Sequence, residues 1–97
     1  METLRYEYPV SKPVKRRVHV GVVGSGDLEV LIEPVDGDTA QVVINTSVDG
    51  FGRVWKTVVD RFFTRFDGRV AIEINDFGAT PGVVLLRLEQ AVEELGQ

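Results

Sequence analysis

Val18-His19-Val20-Gly21-Val22-Val23-Gly24-Ser25-Gly26-Asp27-Leu28-Glu29-Val30-Leu31-Ile32-Glu33 is the stretch on which the fold turns. A strand running from about Arg16 to Val23 puts Val18, Val20 and Val22 on one face and His19 on the other. A second run begins at Leu28, with Leu28, Val30 and Ile32 facing one way and Glu29 and Glu33 the other. Side chains alternate across a strand, so each run has one face to bury. The tetrapeptide Gly24-Ser25-Gly26-Asp27 between them reads as the turn of a β-hairpin.

Toward the N-terminus, Leu4, Tyr6 and Tyr8 alternate with Arg5 and Glu7, another half-buried strand. Pro9 to Pro13 is a polar, proline-bounded connector. Toward the C-terminus, Pro34 and Asp36-Gly37-Asp38 make a turn into a fourth strand, about Thr39 to Val48. Strands two to four are expected to form a meander. From Phe51 the period changes. Phe51, Val54, Trp55, Val58, Val59, Phe62, Phe63 and Phe66 fall at helical spacing, and Asp67-Gly68 stops the run. A fifth strand covers Arg69 to Phe77. A last helix starts at Thr80-Pro81, an N-cap followed by proline in the first helical position, and ends near Gly96. Val84, Leu85, Leu88, Val92 and Leu95 form its apolar stripe.

The order ββββαβα predicts an α+β domain. Two layers are expected, a mostly antiparallel sheet with both helices packed on one face. The 97 residues fit one domain, 1–97, with 1–17 an N-terminal strand and connector.

Composition excludes several chemistries. There is no cysteine and one histidine, His19, so thiolate catalysis, disulfides and cysteine- or histidine-rich metal sites are out. The formal charge of −4 suits a nucleic-acid backbone poorly, since that affinity rests on Lys and Arg. The basic cluster Lys12, Lys15, Arg16 and Arg17 reads as a solvated strand entrance or a docking patch. No apolar run approaches the roughly 20 residues that cross a bilayer, and no basic-then-apolar signal pattern opens the chain. A soluble, cytoplasmic protein is expected.

Asp76-Phe77-Gly78 spells the metal-binding triplet of protein kinases, but the other kinase parts are missing. Here it reads as a strand end turning into a helix. Gly21, Gly24 and Gly26 hint at a dinucleotide loop, yet Glu29 stands where the third glycine belongs and a strand follows where a helix is needed. Ser25 with His19 lacks a pocket and an oxyanion hole for hydrolysis. Trp55 and its neighbouring phenylalanines read as core.

Gly24-Ser25-Gly26-Asp27 remains, with two readings. Glycine, serine and aspartate are ordinary turn residues, so the segment can be purely structural. Alternatively, two glycines bare one hydroxyl for another enzyme to modify. Asp27, Glu29 and Glu33 are then expected to ring the site with negative charge for basic partners.

The blocks Gly24-Ser25-Gly26-Asp27-Leu28-Glu29-Val30, Ile44-Asn45-Thr46-Ser47-Val48, Asn75-Asp76-Phe77-Gly78-Ala79-Thr80-Pro81-Gly82-Val83-Val84 and Leu86-Arg87-Leu88-Glu89-Gln90-Ala91 resemble the acyl-carrier (delta) subunits of malonate decarboxylase. Ser25-Gly26-Asp27 and Asn45-Thr46-Ser47-Val48 resemble, more distantly, the acyl-carrier subunit of citrate lyase. The resemblance extends from Gly21 to Leu95.

This resemblance implies a non-catalytic carrier. Ser25 is expected to bear 2′-(5″-phosphoribosyl)-3′-dephospho-CoA through a phosphodiester, in a turn flanked by Gly24, Gly26 and Asp27. Acetyl and malonyl thioesters ride on that arm between acyl-transferase and decarboxylase subunits, and a dedicated enzyme attaches it. The alternative function is a small α+β ligand-binding or regulatory module whose Gly24-Ser25-Gly26 turn is structural.

Overall fold

Alternation of apolar and polar side chains governs every strand of the computed structural model, which describes residues 1–96. The elements are β1 (Glu2–Pro9), β2 (Val18–Gly21), β3 (Leu28–Pro34), β4 (Thr39–Thr46), α1 (Gly52–Phe63), β5 (Val70–Asp76) and α2 (Pro81–Leu95). Among the described residues, the strands form one sheet in the order β1-β4-β5-β3-β2. Its inner face carries Val18 and Val20, then Leu28, Val30 and Ile32, Val70, Ile72 and Ile74, and Ala40, Val42 and Ile44, all buried. Trp55, Val58 and Val59 of α1 and Val84, Leu88, Ala91 and Leu95 of α2 close the same core. The α+β, two-layer expectation holds.

The meander does not form. β3 pairs with β5, in register Val30↔Ile74 and Ile32↔Ile72, and β4 pairs with β1 and β5. The β4–β5 pair is parallel and the other three pairs are antiparallel. The link at 35–38 spans two strand spacings, roughly 10 Å, well within its extended reach of roughly 3.3 Å per residue. That leaves a central slot for β5, whose Val70 and Ile74 are fully buried. The helix between β4 and β5 is the crossover that a parallel pair requires.

The β2–β3 hairpin forms as expected, with Val20 opposite Val30. Val22, however, is 55% exposed and does not join Val18 and Val20 inside. The strand ends at Gly21, whose φ is +87°. A Cβ there would lie 2.1 Å from the Leu28 carbonyl oxygen, so only glycine permits the chain to bend away at this point.

α1 is shorter than its apolar spacing implies. Phe51 caps it and is 49% exposed, Val54 is 40% exposed, and Phe66 lies beyond the helix yet is buried. At the other end of the chain, α2 follows its sequence signals. The Thr80 hydroxyl accepts from the Val83 N–H at 3.3 Å, Pro81 occupies the first turn, and Gly96 forms the C-cap.

The connector after β1 is fastened to the domain. Val10 and Val14 are buried, the Val10 N–H donates to the Asp38 carbonyl, and the Asp67 carboxylate accepts from the Ser11 N–H at 2.8 Å. Tyr8 stacks on Phe63 with centroids 4.2 Å apart and donates its hydroxyl to Asp60 at 2.6 Å, locking β1 to α1.

Candidate functional site

The Gly24–Asp27 turn sits where β2 ends and β3 begins. The Asp27 N–H donates to the Gly24 carbonyl at 3.1 Å, closing a four-residue turn. Gly26 takes φ +77° and Ser25 does not take a positive φ, which is the pattern of a type II turn. Ser25 and Gly26 are exposed at its tip. A side chain built at Gly26 meets nothing within 4 Å, so the space beside the residue that follows Ser25 is open.

The inner side of the turn is clamped by distant parts of the chain. The Gly26 N–H donates to the Phe77 carbonyl at 2.8 Å, and the Phe77 N–H donates to the Asp27 carbonyl at 2.9 Å. Phe77, in the Asp76-Phe77-Gly78 turn, therefore holds the serine loop through both its backbone N–H and its carbonyl. Arg87, on α2, reaches back with a fork. Its Nε donates to Asp27 Oδ1 at 3.1 Å and its Nη2 to Oδ2 at 2.6 Å. The Leu28 N–H also donates to Asp27 Oδ1, at 2.7 Å. The Arg87 hydrogen bonds, followed by the Leu28 N–H, hold the Asp27 carboxyl below the usual carboxylate range.

Asp76 organises the next turn. It is 4% exposed and accepts from the Thr46 hydroxyl at 2.8 Å, the Gly78 N–H at 3.3 Å and the Ala79 N–H at 3.0 Å. On the open face of the sheet, Asn45 donates to Asn75 at 3.0 Å and Asn75 to Glu29 at 2.8 Å. Glu29 also meets His19 Nε2 at 2.9 Å, and His19 followed by Asn75 lowers its pKa.

These contacts correct one expectation. Asp27, Glu29 and Glu33 do not ring Ser25 with free negative charge. Asp27 is paired with Arg87, Glu29 with His19, and Glu33 with Arg17 at 3.7 Å. Asp27 and Glu29 are engaged by donors from α2 and β2, whereas Glu33 meets Arg17 in an exposed surface pair. The basic cluster is similarly dispersed. Arg16 donates to the Glu94 carbonyl and Arg17 pairs with Glu33, while the Lys12 backbone bridges to Gly68.

The structure brings the predicted residues Gly24, Ser25, Gly26 and Asp27 together in one turn, and among the described residues no hydrolytic triad is assembled around them. His19 lies on the outer sheet face as expected, with its Nε2 engaged by Glu29. Sequence reasoning missed Arg87 and Phe77 as the residues that position the turn. Their signal was indirect, since both lie in blocks that carry the family resemblance.

Residues 15–95 match the family model described as Malonate decarboxylase delta subunit (MdcD). The chain belongs to this family. Malonate decarboxylase delta subunits are thus the frame in which the Ser25 turn is read. The chain is 52% identical over 100 residues to the malonate decarboxylase acyl carrier protein of Pseudomonas savastanoi pv. phaseolicola, covering 99% of this chain and 98% of that one. It is 48% identical over 96 residues to the protein of the same name from Azotobacter vinelandii, covering 98% and 97% respectively. Its fold matches a chain in a crystal structure of a Pseudomonas malonate decarboxylase hetero-tetramer in complex with malonate. That match has a TM-score of 0.94 at 48% identity, over 99% of this chain and 100% of the other. No helix among the described residues is long and apolar enough to cross a membrane.

Proposed function

We propose that this delta-family chain is the acyl carrier of a malonate decarboxylase complex and that Ser25 is its attachment residue, with residues 1–97 acting as one carrier domain. The observation that carries this reading is the placement of Ser25. It is exposed at the tip of a turn whose inner side is held by Phe77 and Arg87. A hydroxyl so presented reaches into another enzyme's site without unfolding its own domain.

The residues fit the expected group, 2′-(5″-phosphoribosyl)-3′-dephospho-CoA. Open space at Gly26 admits a bulky phosphodiester, and the Asp27 carboxylate nearby is held by Arg87 and not left to repel it. When bound, the arm supplies a thiol that carries acetyl and malonyl groups as thioesters. The protein supplies tethering, which raises the effective concentration at successive active sites. Acyl-transferase and decarboxylase subunits of the same complex are the partners, an attaching enzyme loads the arm, and the cytoplasm is the compartment.

The test is the intact mass of the chain purified from its native host grown on malonate, followed by peptide fragmentation. A coenzyme-A-like adduct on Ser25, and its loss with a folded domain in Ser25→Ala, is expected. An unmodified chain with its partner enzymes present would return the turn to a structural role.

A further inference from the structure

A cavity of about 230 Å³ opens at the carboxyl ends of β4 and β5, between the first turns of the two helices. Trp55, Val58 and Val84 line it and are buried, while Val48, Phe51 and Val54 line it with 38%, 49% and 40% exposure. Exposed apolar side chains gathered on the rim of an apolar hollow mark a binding site. The hollow adjoins the serine turn. Gly78 is part of its lining, and the Gly26 N–H nitrogen lies 4.0 Å from where a Gly78 Cβ would be.

Resting on the carrier reading of Ser25, we propose that this cavity shelters the acetyl-thioester end of the chain's own arm and excludes the malonyl-thioester end. Three considerations select that occupant. The first is reach: Gly78, in the lining, approaches Gly26, the residue that follows Ser25, so a long flexible arm can fold back into the hollow. The second is size. The hollow has room for several water-sized groups, which admits an acetyl group and the sulfur behind it.

The third is charge. An acetyl thioester is neutral and suits the walls formed by Trp55, Val58 and Val84. A malonyl thioester ends in a carboxylate, and the cavity lining holds no Lys, Arg or His to meet it, its donors being neutral N–H groups such as the Trp55 indole. The polar lining includes Asp76, itself a carboxylate, and the Thr46 hydroxyl is committed to Asp76. The Gly78 and Ala79 N–H groups at the edge also donate to Asp76. Burying an anion beside the Asp76 carboxylate with no cation to pair it is unfavourable. The acetyl form is therefore protected from water, and the malonyl form is left outside for the decarboxylase.

The test uses the full-length carrier with a [methyl-13C]acetyl group on its arm, loading confirmed by intact mass. Trp55, the chain's one tryptophan, supplies an unambiguous reporter. Expected are NMR cross-relaxation between the acetyl methyl and the Trp55 ring, and thioester hydrolysis about tenfold slower than for free acetyl-CoA, the factor that 1.4 kcal/mol gives. The malonyl-loaded carrier should show the Trp55 signals of the unloaded chain. Val54→Phe, at the exposed rim, should fill the mouth, remove the acetyl–Trp55 contact and restore the free hydrolysis rate.

A mass-verified acetyl carrier whose Trp55 signals equal those of the unloaded chain overturns the inference, and so does equal sheltering of the malonyl form. These wild-type comparisons stand whether or not the variant folds. A chain that carries no adduct on Ser25 is a different result, and overturns the carrier reading itself.

Discussion

Arg87 and Asp27 stand 60 positions apart in the chain and meet through two parallel hydrogen bonds, Nε to Oδ1 at 3.1 Å and Nη2 to Oδ2 at 2.6 Å. This fork ties the second helix to the residue that closes the Ser25 turn, so the loop is exposed without being free. Such geometry is specific to guanidinium, because an ammonium offers one charged point and not a planar fork. Arg87→Ala and Arg87→Lys should both speed amide hydrogen exchange at Gly26 and Asp27, lysine only partly restoring protection. Exchange unchanged from the native chain in both variants would mean that the backbone bonds to Phe77 hold the turn alone.

The same pair sets an acid dependence. Asp27 and Glu29 have pKa values lowered in the fold, chiefly by Arg87 and His19 respectively. The unfolded chain therefore binds more protons than the folded one as pH falls through the carboxylate range. Stability from these groups is fully present above their unfolded pKa values, about 4, and is lost as pH descends through the depressed folded values. Thermal melts should show a flat Tm above that range and a fall below it. Asp27→Asn should lower Tm near neutral pH and flatten the acid slope. An unaltered slope in that variant would assign the acid sensitivity to other lowered carboxyls, such as Asp60 and Asp67.

Much of this was legible in local pattern. The alternation of β3 and β5, the Gly24–Asp27 turn, and the Thr80, Pro81 and Gly96 signals of α2 are properties of neighbouring residues, and each appears where its spacing places it. The strand order was not legible that way. Alternation says that Val30 faces inward but not whether its partner is Ile44 or Ile74, and a link at 35–38 permits either. The helix inserted before β5 was the available clue to a parallel crossover. Val22 misled because it continues the alternation of Val18 and Val20, while the bend is decided by the close approach of Gly21 to Leu28. The electrostatics around Ser25 were hidden for a similar reason. Asp27 looks like free charge until α2 delivers Arg87.

Two glycines of this hairpin should respond differently to alanine. At Gly21 the new Cβ meets the Leu28 carbonyl oxygen at 2.1 Å on top of a φ of +87°, so backbone must shift. The cost is expected to be about 3 kcal/mol. At Gly26 φ is +77° but the space is open, and the conformational penalty alone applies, about 1 kcal/mol. Denaturant melts should therefore rank Gly21→Ala well below Gly26→Ala. Equal midpoints would show that the chain relaxes around Gly21 at little cost.

Asp76 joins the serine turn to the cavity, and its removal should be felt in both. Its carboxylate is 4% exposed and accepts from Thr46, Gly78 and Ala79, so Asp76→Ala strands the Gly78 and Ala79 N–H groups, while the Thr46 hydroxyl keeps the Val48 carbonyl at 3.3 Å as an acceptor. A buried donor left without a partner costs about 1–3 kcal/mol, and those near the cavity recover part of that from water. A net loss of about 3 kcal/mol is expected, with a Tm fall of roughly 4–8 °C for each kcal/mol in a domain of this size. Asp76→Asn keeps one acceptor oxygen and should lose about half as much. Because Phe77 follows Asp76 and bonds to Gly26 and Asp27, amide exchange at Gly26 should quicken in Asp76→Ala. Loss of stability with no change at Gly26 would show that Phe77 is held by the sheet and not by the Asp76 turn.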